Sequence, residues 1–138
     1  DVERELNARF VSKEELLAES DFLSIHTPLN PSTRYLIGEG DLRRMKPTAM
    51  LINTSRGPVV DEAALVKALE QRWIAGAGLD VFEGEPKINP EWFGVENAVL
   101  FPHVGSATVE TRTAMGDLQV ENLRLHFSGK AVKTPVQG

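Results

Sequence analysis

Three segments of the sequence define the predicted sheet: LINTSRG at 51–57, IAGAGLDVFEGEP at 74–86 and AVLFPHVGS at 98–106. Each segment begins with a short apolar run and then passes directly into polar residues with glycine or proline. Such runs are typical of buried strands that end in loops. Segments with helical patterns lie between several of the predicted strands of the chain. This alternation of strand and helix predicts a mostly parallel sheet. The carboxyl ends of the strands then share one edge of the sheet, which is where ligands bind in open α/β proteins.

The alternation of strand and helix extends over the rest of the chain. Ser12 and Asp61 are predicted to cap helices, because their side-chain oxygens can accept amide hydrogens of the first turn. We predict the α/β class, with a partial Rossmann-like, doubly wound parallel sheet and helices on both faces. The predicted strands are 21–26, 48–53, 74–79 and 98–101, with a short edge strand at 8–11, and the predicted helices follow Ser12 and cover 38–45, 62–70 and 107–127.

Composition and charge exclude several classes of function. The 138 residues are 41% hydrophobic and 25% charged, which is typical of a soluble globular protein. The net charge of −5 comes from interleaved acids and bases, so no basic face for nucleic acid is expected. The absence of cysteine excludes disulfides and thiolate chemistry. Without a membrane-length apolar run or a signal-peptide pattern, we expect a cytoplasmic protein that binds neither nucleic acid nor membrane.

One motif of dinucleotide-binding domains is missing. Such domains open with a strand, a glycine-rich G-x-G-x-x-G turn and a helix that receives the pyrophosphate. The sequence contains no such pattern, and the glycines of GAG at 76–78 lie inside a predicted strand. The segments that are present resemble the second part of such a domain, so we expect residues 1–138 to form its C-terminal portion without the first βαβ half.

Four polar side chains follow the predicted strands: Arg56, Asp80, Glu85 and His103. Arg56 is either a surface arginine or a planar fork that binds a carboxylate. His103 is either structural or, with Glu85 on one ring nitrogen, able to give a proton to a carbonyl oxygen and take it back. Asp80 either caps a turn or accepts a hydrogen bond from a ligand amide. The gathering of these side chains at three strand ends favours the functional interpretation.

Other polar residues have simpler interpretations. Glu83 is expected to be a solvated loop carboxylate. His26 is expected to be structural, with its backbone and that of Thr27 and Pro28 lining a wall of the site. The three histidines lie in different segments without ligand spacing, so no metal site is predicted. Ser55 and Ser106 do not lie in a G-x-S-x-G elbow, which argues against a serine hydrolase.

Several strings together resemble the D-isomer-specific 2-hydroxyacid dehydrogenases. They are NTSRGPVVDE at 53–62, GLDVFEGEP at 78–86 and PHVGSAT at 102–108, with SIHTPL at 24–29 and MKP at 45–47. The similarity covers nearly the whole chain, and the combination is highly specific. Within the family the strings are most similar to glyoxylate/hydroxypyruvate reductases. The carboxylate at Glu85 argues against the related formate dehydrogenases, which have glutamine in that role.

The resemblance implies a role for each matching residue. Arg56 would hold the substrate carboxylate, and His103 would be the general acid in reduction and the base in oxidation. Glu85 would orient His103 and raise its pKa, and Asp80 would bond the nicotinamide carboxamide. The cofactor-binding set implied by the resemblance is His26, Thr27, Pro28, Thr54, Ser55, Arg56, Asp80, His103, Gly105 and Ser106.

The implied activity is NAD- or NADP-dependent reduction of a small 2-keto acid to the D-2-hydroxy acid, in a homodimer. The substrate domain and the glycine-rich turn of the family are absent from this chain. Because the pyrophosphate-binding turn is missing, the 138 residues alone are expected to be inactive. Three alternatives remain open: a D-3-phosphoglycerate dehydrogenase, a non-catalytic NAD(H)-binding module like the corepressors of the family, and a folded remnant whose exposed sheet edge pairs with another copy.

Overall fold

The computed structural model describes residues 2–136. By their internal contacts the residues separate into two compact units, Asp1–Pro102 and His103–Gly138. The first unit contains the sheet and the shorter helices, and the second contains one long helix. The helices are α1 (Val2–Glu5), α2 (Lys13–Glu19), α3 (Glu39–Leu42), α4 (Glu62–Glu70) and α5 (Val109–Phe127), the strands are β1 (Phe22–Ile25), β2 (Met50–Asn53), β3 (Gly76–Leu79) and β4 (Ala98–Leu100), and 3₁₀ turns cover Gly57–Val59 and Pro90–Gly94.

The described strands form one parallel sheet in the order β1-β2-β3-β4. The register is even at the carboxyl edge, where Ile25 pairs with Asn53, Asn53 with Leu79 and Leu79 with Leu100. Parallel neighbours need crossover segments between them, and α3 and α4 supply two of these. The prediction of a parallel, Rossmann-like α/β sheet is confirmed.

One face of the sheet carries the hydrophobic core of the first unit. Burial alternates along β1, where Leu23 and Ile25 are buried and Phe22 and Ser24 are exposed, as the two-residue period of a strand requires. The helices contribute their apolar sides to the same cluster. Its members from these helices are Leu17 of α2, Leu42 of α3, and Ala64, Leu65, Val66, Ala68 and Leu69 of α4.

The opposite face of the sheet exposes apolar side chains. Phe22 is 73% exposed, Val99 is 59% exposed and Phe101 is 53% exposed. Between them lie the small residues of β3, and a Cβ added to Gly78 would lie 3.1 Å from the Ile52 side chain. This face of the sheet is therefore flat and apolar.

The predicted helix caps are present. The Asp61 carboxylate accepts a hydrogen bond from the Ala64 amide at 3.1 Å, and the Ser12 hydroxyl accepts one from the Glu15 amide at 3.2 Å. Each satisfies an amide that has no partner within its helix. The predicted bounds of the helix over 62–70 are confirmed.

Two local predictions were wrong. Residues 8–11 form no strand: Phe10 is 94% exposed, and its amide donates to the Glu3 carboxylate instead of to a neighbouring strand. The helix expected over 38–45 is only Glu39–Leu42. Beyond it the Arg44 and Met45 amides bond three residues back, a tightened turn that ends the helix shortly before Pro47.

The second unit has a different internal organisation. The Thr108 side chain caps α5 by accepting from the Thr111 amide at 3.2 Å. No residue of α5 is buried. The segment after the helix is held by Asn122, whose side chain donates to the Thr134 hydroxyl and accepts from the Lys133 amide, each at 2.8 Å. In residues 2–136, no helix combines the length and the apolar character needed to cross a bilayer.

Candidate functional site

The carboxyl edge of the sheet aligns the residues that follow the strands. The Asp80 amide donates to the Asn53 carbonyl at 3.0 Å, and the Phe101 amide donates to the Leu79 carbonyl at 2.8 Å. The ladder thus continues one residue beyond β3 and β4. Thr54, Asp80 and Phe101 follow paired strand ends directly, so they stand at one level of the edge.

The loop that carries Arg56 is held by the buried side chain of Asn53, which is 1% exposed. Its Nδ2 donates to the Arg56 carbonyl at 3.0 Å, and its Oδ1 accepts from the Ser55 amide at 3.1 Å and the Ser55 hydroxyl at 2.9 Å. This is an Asx-type turn, in which a side chain replaces backbone partners. The turn fixes the backbone from which the exposed Arg56 guanidinium projects.

Gly57 brings this loop against the loop that follows β3. A Cβ added at Gly57 would overlap the Phe82 carbonyl group and lie 2.5 Å from the Glu83 nitrogen. Only glycine allows this approach of two backbones. The Arg56 loop and the Phe82–Glu85 loop are therefore packed main chain to main chain.

Glu85 belongs to a closed turn after β3. Its Oε1 accepts a hydrogen bond from the Phe82 amide at 2.6 Å, and the turn passes through Gly84 at φ +79°. That φ lies in the left-handed region, which favours glycine. Phe82 is itself buried against the Trp92 ring, with the centroids 6.2 Å apart. The backbone under Glu85 is thus anchored in the core.

Glu83 lies in a loop, as predicted, and its side chain is 35% exposed, but its carboxylate also has partners in the protein. Its Oε1 accepts from the Tyr35 hydroxyl at 2.8 Å and from the Arg34 guanidinium at 3.0 Å. The Arg34 guanidinium also lies 4.7 Å from the centroid of the Tyr35 ring. The hydrogen bond to the Glu83 carboxylate raises the pKa of the Tyr35 hydroxyl above its ordinary value. Through these contacts Glu83 connects the turn at Tyr35 with the loop that carries Glu85.

A cleft of about 530 Å³ lies between the end of β1 and the Arg56 loop. Its walls are formed by His26–Leu29 on one side and Thr54–Arg56 on the other. The Thr27 hydroxyl oxygen is buried and has no hydrogen-bond partner among the described residues. The Nε2 atom of His26 lies 2.8 Å from the Ser24 hydroxyl, and both residues are exposed.

An apolar groove of about 370 Å³ adjoins this cleft on the exposed face of the sheet. Thr54 borders both the groove and the cleft. Asp80, which is 7% exposed, lines the groove beside Gly78 and Phe101. Thr54 and Asp80 are among the residues around the groove, but its surface is almost entirely apolar.

The second unit begins with the remaining predicted residues, His103, Gly105 and Ser106. His103 has a φ of +54°, an uncommon conformation for a residue with a side chain and one that is concentrated at functional sites. The Ala107 amide closes the following turn on the Val104 carbonyl at 2.9 Å. Arg56, Asp80 and Glu85 thus belong to the first unit and His103 to the second, and the pairing of Glu85 with His103 stays a prediction.

Two residues that hold this edge were not singled out from the sequence, Asn53 and Glu62. The pattern Asn-Thr-Ser after an apolar run was a usable signal for Asn53, because asparagine often bonds the backbone two residues on. Glu62 gave no such signal, since its partner, the Glu83 amide, is 21 residues away. No group of three or more histidines, aspartates and glutamates suited to a metal ion occurs in the described part of the chain.

A parallel sheet with clefts and polar side chains at its carboxyl edge defines the class of Rossmann-like cofactor-binding domains. The chain belongs to the D-isomer specific 2-hydroxyacid dehydrogenase family, because the family model for the NAD binding domain matches residues 1–105. The predicted family is confirmed.

Individual relatives agree with this assignment. The chain is 57% identical to a glyoxylate reductase of Thermococcus litoralis over 130 residues, which are 94% of this chain and 39% of the relative. An NADPH-dependent glyoxylate/hydroxypyruvate reductase of Sinorhizobium meliloti, solved with NADP and malonate, has a TM-score of 0.85 at 44% identity, covering 91% of this chain and 39% of that one. A D-lactate dehydrogenase of Lactobacillus jensenii, solved with NAD⁺, has a TM-score of 0.89 at 29% identity, covering 100% and 46%. The chain spans 39–41% of the length of the first curated relatives it matches.

Proposed function

We propose that this chain supplies the catalytic and nicotinamide side of an NAD(P)-dependent reductase of small 2-keto acids, which reduces glyoxylate to the achiral glycolate or hydroxypyruvate to the D-2-hydroxy acid. It would act within a longer protein, as the C-terminal portion of the dinucleotide-binding domain. The proposal rests on the aligned carboxyl ends of the strands. There Asp80 directly follows one strand, and the loops that carry Arg56 and Glu85 are packed together. The names of the relatives as glyoxylate reductases support the substrate class.

The grooves of the first unit fit a nicotinamide cofactor. The apolar groove beside Gly78 suits an aromatic ring. In this proposal Asp80, which directly follows β3 beside the groove, accepts a hydrogen bond from the carboxamide. The buried Thr27 hydroxyl has no hydrogen-bond partner within residues 2–136, and a ribose or phosphate group would supply one. His26, Pro28, Thr54 and Ser55 would form the remaining walls. The bound cofactor supplies the hydride that is added to the 2-carbon of the acid.

Arg56 would bind the substrate carboxylate, because its planar fork matches both oxygens. His103 would donate the proton to the keto oxygen as the hydride reaches the 2-carbon. Hydride and proton together convert the C=O group into an alcohol, and NAD(P)H is oxidised to NAD(P)⁺. Glu85 would orient the imidazole, and Gly105 and Ser106 would border the nicotinamide.

The test is the decrease of NAD(P)H absorbance by the full-length protein with glyoxylate or hydroxypyruvate. We expect His103→Gln to lower kcat by about 10²–10⁴-fold, the range for loss of a general acid. Loss of a charged hydrogen bond in Arg56→Gln should weaken substrate binding by about 10–100-fold. Activity of His103→Gln equal to that of the wild type would contradict the proposal. The 138-residue chain alone is expected to be inactive, and turnover by it would contradict that prediction.

The other candidates receive no specific support. The relatives reported are reductases and dehydrogenases by name, which does not favour a corepressor-like module or a phosphoglycerate dehydrogenase. If the protein only binds NAD(H), His103→Gln should change neither cofactor binding nor the function of the protein. The cytoplasmic location and the homodimer stay predictions, and sedimentation of the full-length protein tests the latter.

A further inference from the structure

The loop from Phe82 to Glu85 sets the direction of the Glu85 carboxylate. Oε1 of Glu85 accepts from the Phe82 amide at 2.6 Å. A carboxylate is planar, so a hydrogen bond on one oxygen constrains where the second oxygen points. The orientation of Glu85 therefore depends on how firmly the Phe82 and Glu83 backbone is held.

Glu62 holds the next amide of this backbone. Its Oε2 accepts from the Glu83 amide at 2.8 Å, in a partly buried position. Glu62 is the first residue of α4, directly after the Asp61 cap, so its own backbone is fixed by the helix. Charged acceptors form the stronger class of hydrogen bond. Gly57 packs against the same peptide from the side of the Arg56 loop.

We propose that Glu62 is a positioning residue for Glu85, acting through the consecutive amides of Glu83 and Phe82. The inference rests on the proposed function, in which the Glu85 carboxylate orients His103. Glu62 touches neither substrate nor cofactor in this proposal. Its carboxylate fixes the loop backbone, and the loop backbone fixes the Glu85 carboxylate.

A simpler role for Glu62 would be to stabilise α4 by placing a negative charge near the positive end of the helix dipole. The two roles respond differently to substitution. Glu62→Gln removes the charge but keeps a side-chain oxygen that can accept from the Glu83 amide, whereas Glu62→Ala removes both. A helix-dipole role predicts equal effects of the two variants, and a positioning role predicts rescue by glutamine.

The experiment compares Glu62→Ala, Glu62→Gln and the control Glu70→Ala in the full-length protein. Glu70 is the exposed last residue of the same helix. Reduction of glyoxylate with NAD(P)H gives kcat and KM, and hydrogen exchange by mass spectrometry reports the amides of 80–87. We expect Glu62→Ala to lower kcat about 10–100-fold, as small misplacements of catalytic groups do, with KM changed by less than about 3-fold. Exchange at 82–83 should be faster in this variant alone.

Glu62→Gln should recover most of the lost kcat, and Glu70→Ala should match the wild type in both measurements. Equal losses in the alanine and glutamine variants would overturn the proposal, as would unchanged exchange at 82–83 or unchanged kcat in Glu62→Ala. A wild-type protein that reduces no 2-keto acid would overturn the proposed function. The exchange measurement still reports on the Glu62–Glu83 contact in that case, so the two failures are distinguishable.

Discussion

The two units of the chain obtain their structure in different ways. All buried apolar side chains among the described residues lie between Leu17 and Val95, in the first unit, and α5 of the second unit has none. The first unit is specified by burial, because its strands and helices share one core. The second is specified by local hydrogen bonds, at the Thr108 cap and the Asn122 side chain. A packed core can fix loop geometry that local bonds alone cannot.

This difference divides the predicted site residues. Arg56, Asp80 and Glu85 stand on loops anchored to buried groups of the first unit, whereas His103 opens the second unit. Substitutions of the buried groups that anchor these three residues should therefore strongly lower the free energy of unfolding. Substitutions along α5 should change the free energy of unfolding only slightly. Both tryptophans, Trp73 and Trp92, lie in the first unit, so tryptophan fluorescence follows the unfolding of that unit specifically.

The largest effect is expected for Gly57→Ala. The added methyl group would overlap the Phe82 carbonyl, and both neighbours are main chain that cannot move aside. We expect the free energy of unfolding to fall by about 4 kcal/mol or more, which is exceptional for a single substitution. Urea denaturation followed by tryptophan fluorescence measures it. Gly94→Ala is the control, because a Cβ there meets nothing within 4 Å, and a loss as small as in that variant would contradict the close approach.

The next effect compares leucines of the two units. Leu69→Ala in α4 removes a side chain that is 0% exposed and should cost about 2–5 kcal/mol through the lost contacts and the cavity. Leu118→Ala in α5 removes one that is 39% exposed and should change stability by about 0.5 kcal/mol or less. Urea denaturation by circular dichroism measures both variants. Similar losses in the two would contradict the division between core and local stabilisation.

The same division decides what could be predicted from the sequence. The strands and α4 were predictable, because apolar runs, alternating burial and the Asp61 cap are local signals of a shared core. The short Glu39–Leu42 helix was overestimated, because its end depends on a tightened turn before Pro47. The Glu83 contacts could not be predicted, since Tyr35 and Glu62 are 48 and 21 residues away. Met115 and Phe127 are apolar residues of α5, yet they are 53% and 83% exposed.

A smaller effect is expected for Asn53→Ala, which tests the turn under Arg56. The substitution leaves the Arg56 carbonyl and the Ser55 amide without their buried partner and should cost about 1–3 kcal/mol. Asn97→Ala is the matched control, because the Asn97 side chain also holds backbone groups: its Nδ2 donates to the carbonyls of Leu69 and Ala75. Both variants should lose similar stability. Only Asn53→Ala should shift the NMR amide signals of 54–57, and an unchanged set of these signals would contradict the role of Asn53.

The smallest effect is a gain in the second unit, from Gly116→Ala in the middle of α5. Glycine lowers helix stability through its backbone freedom, and a Cβ at this position meets nothing within 4 Å. Because α5 buries no residue, helix propensity should act there with little opposition from packing. We expect α5 to become more stable by about 0.5–1 kcal/mol, seen as slower exchange of the amides of 112–120. Faster exchange would mean that the absence of a side chain at Gly116 is itself required, and that α5 is specified by more than its local bonds.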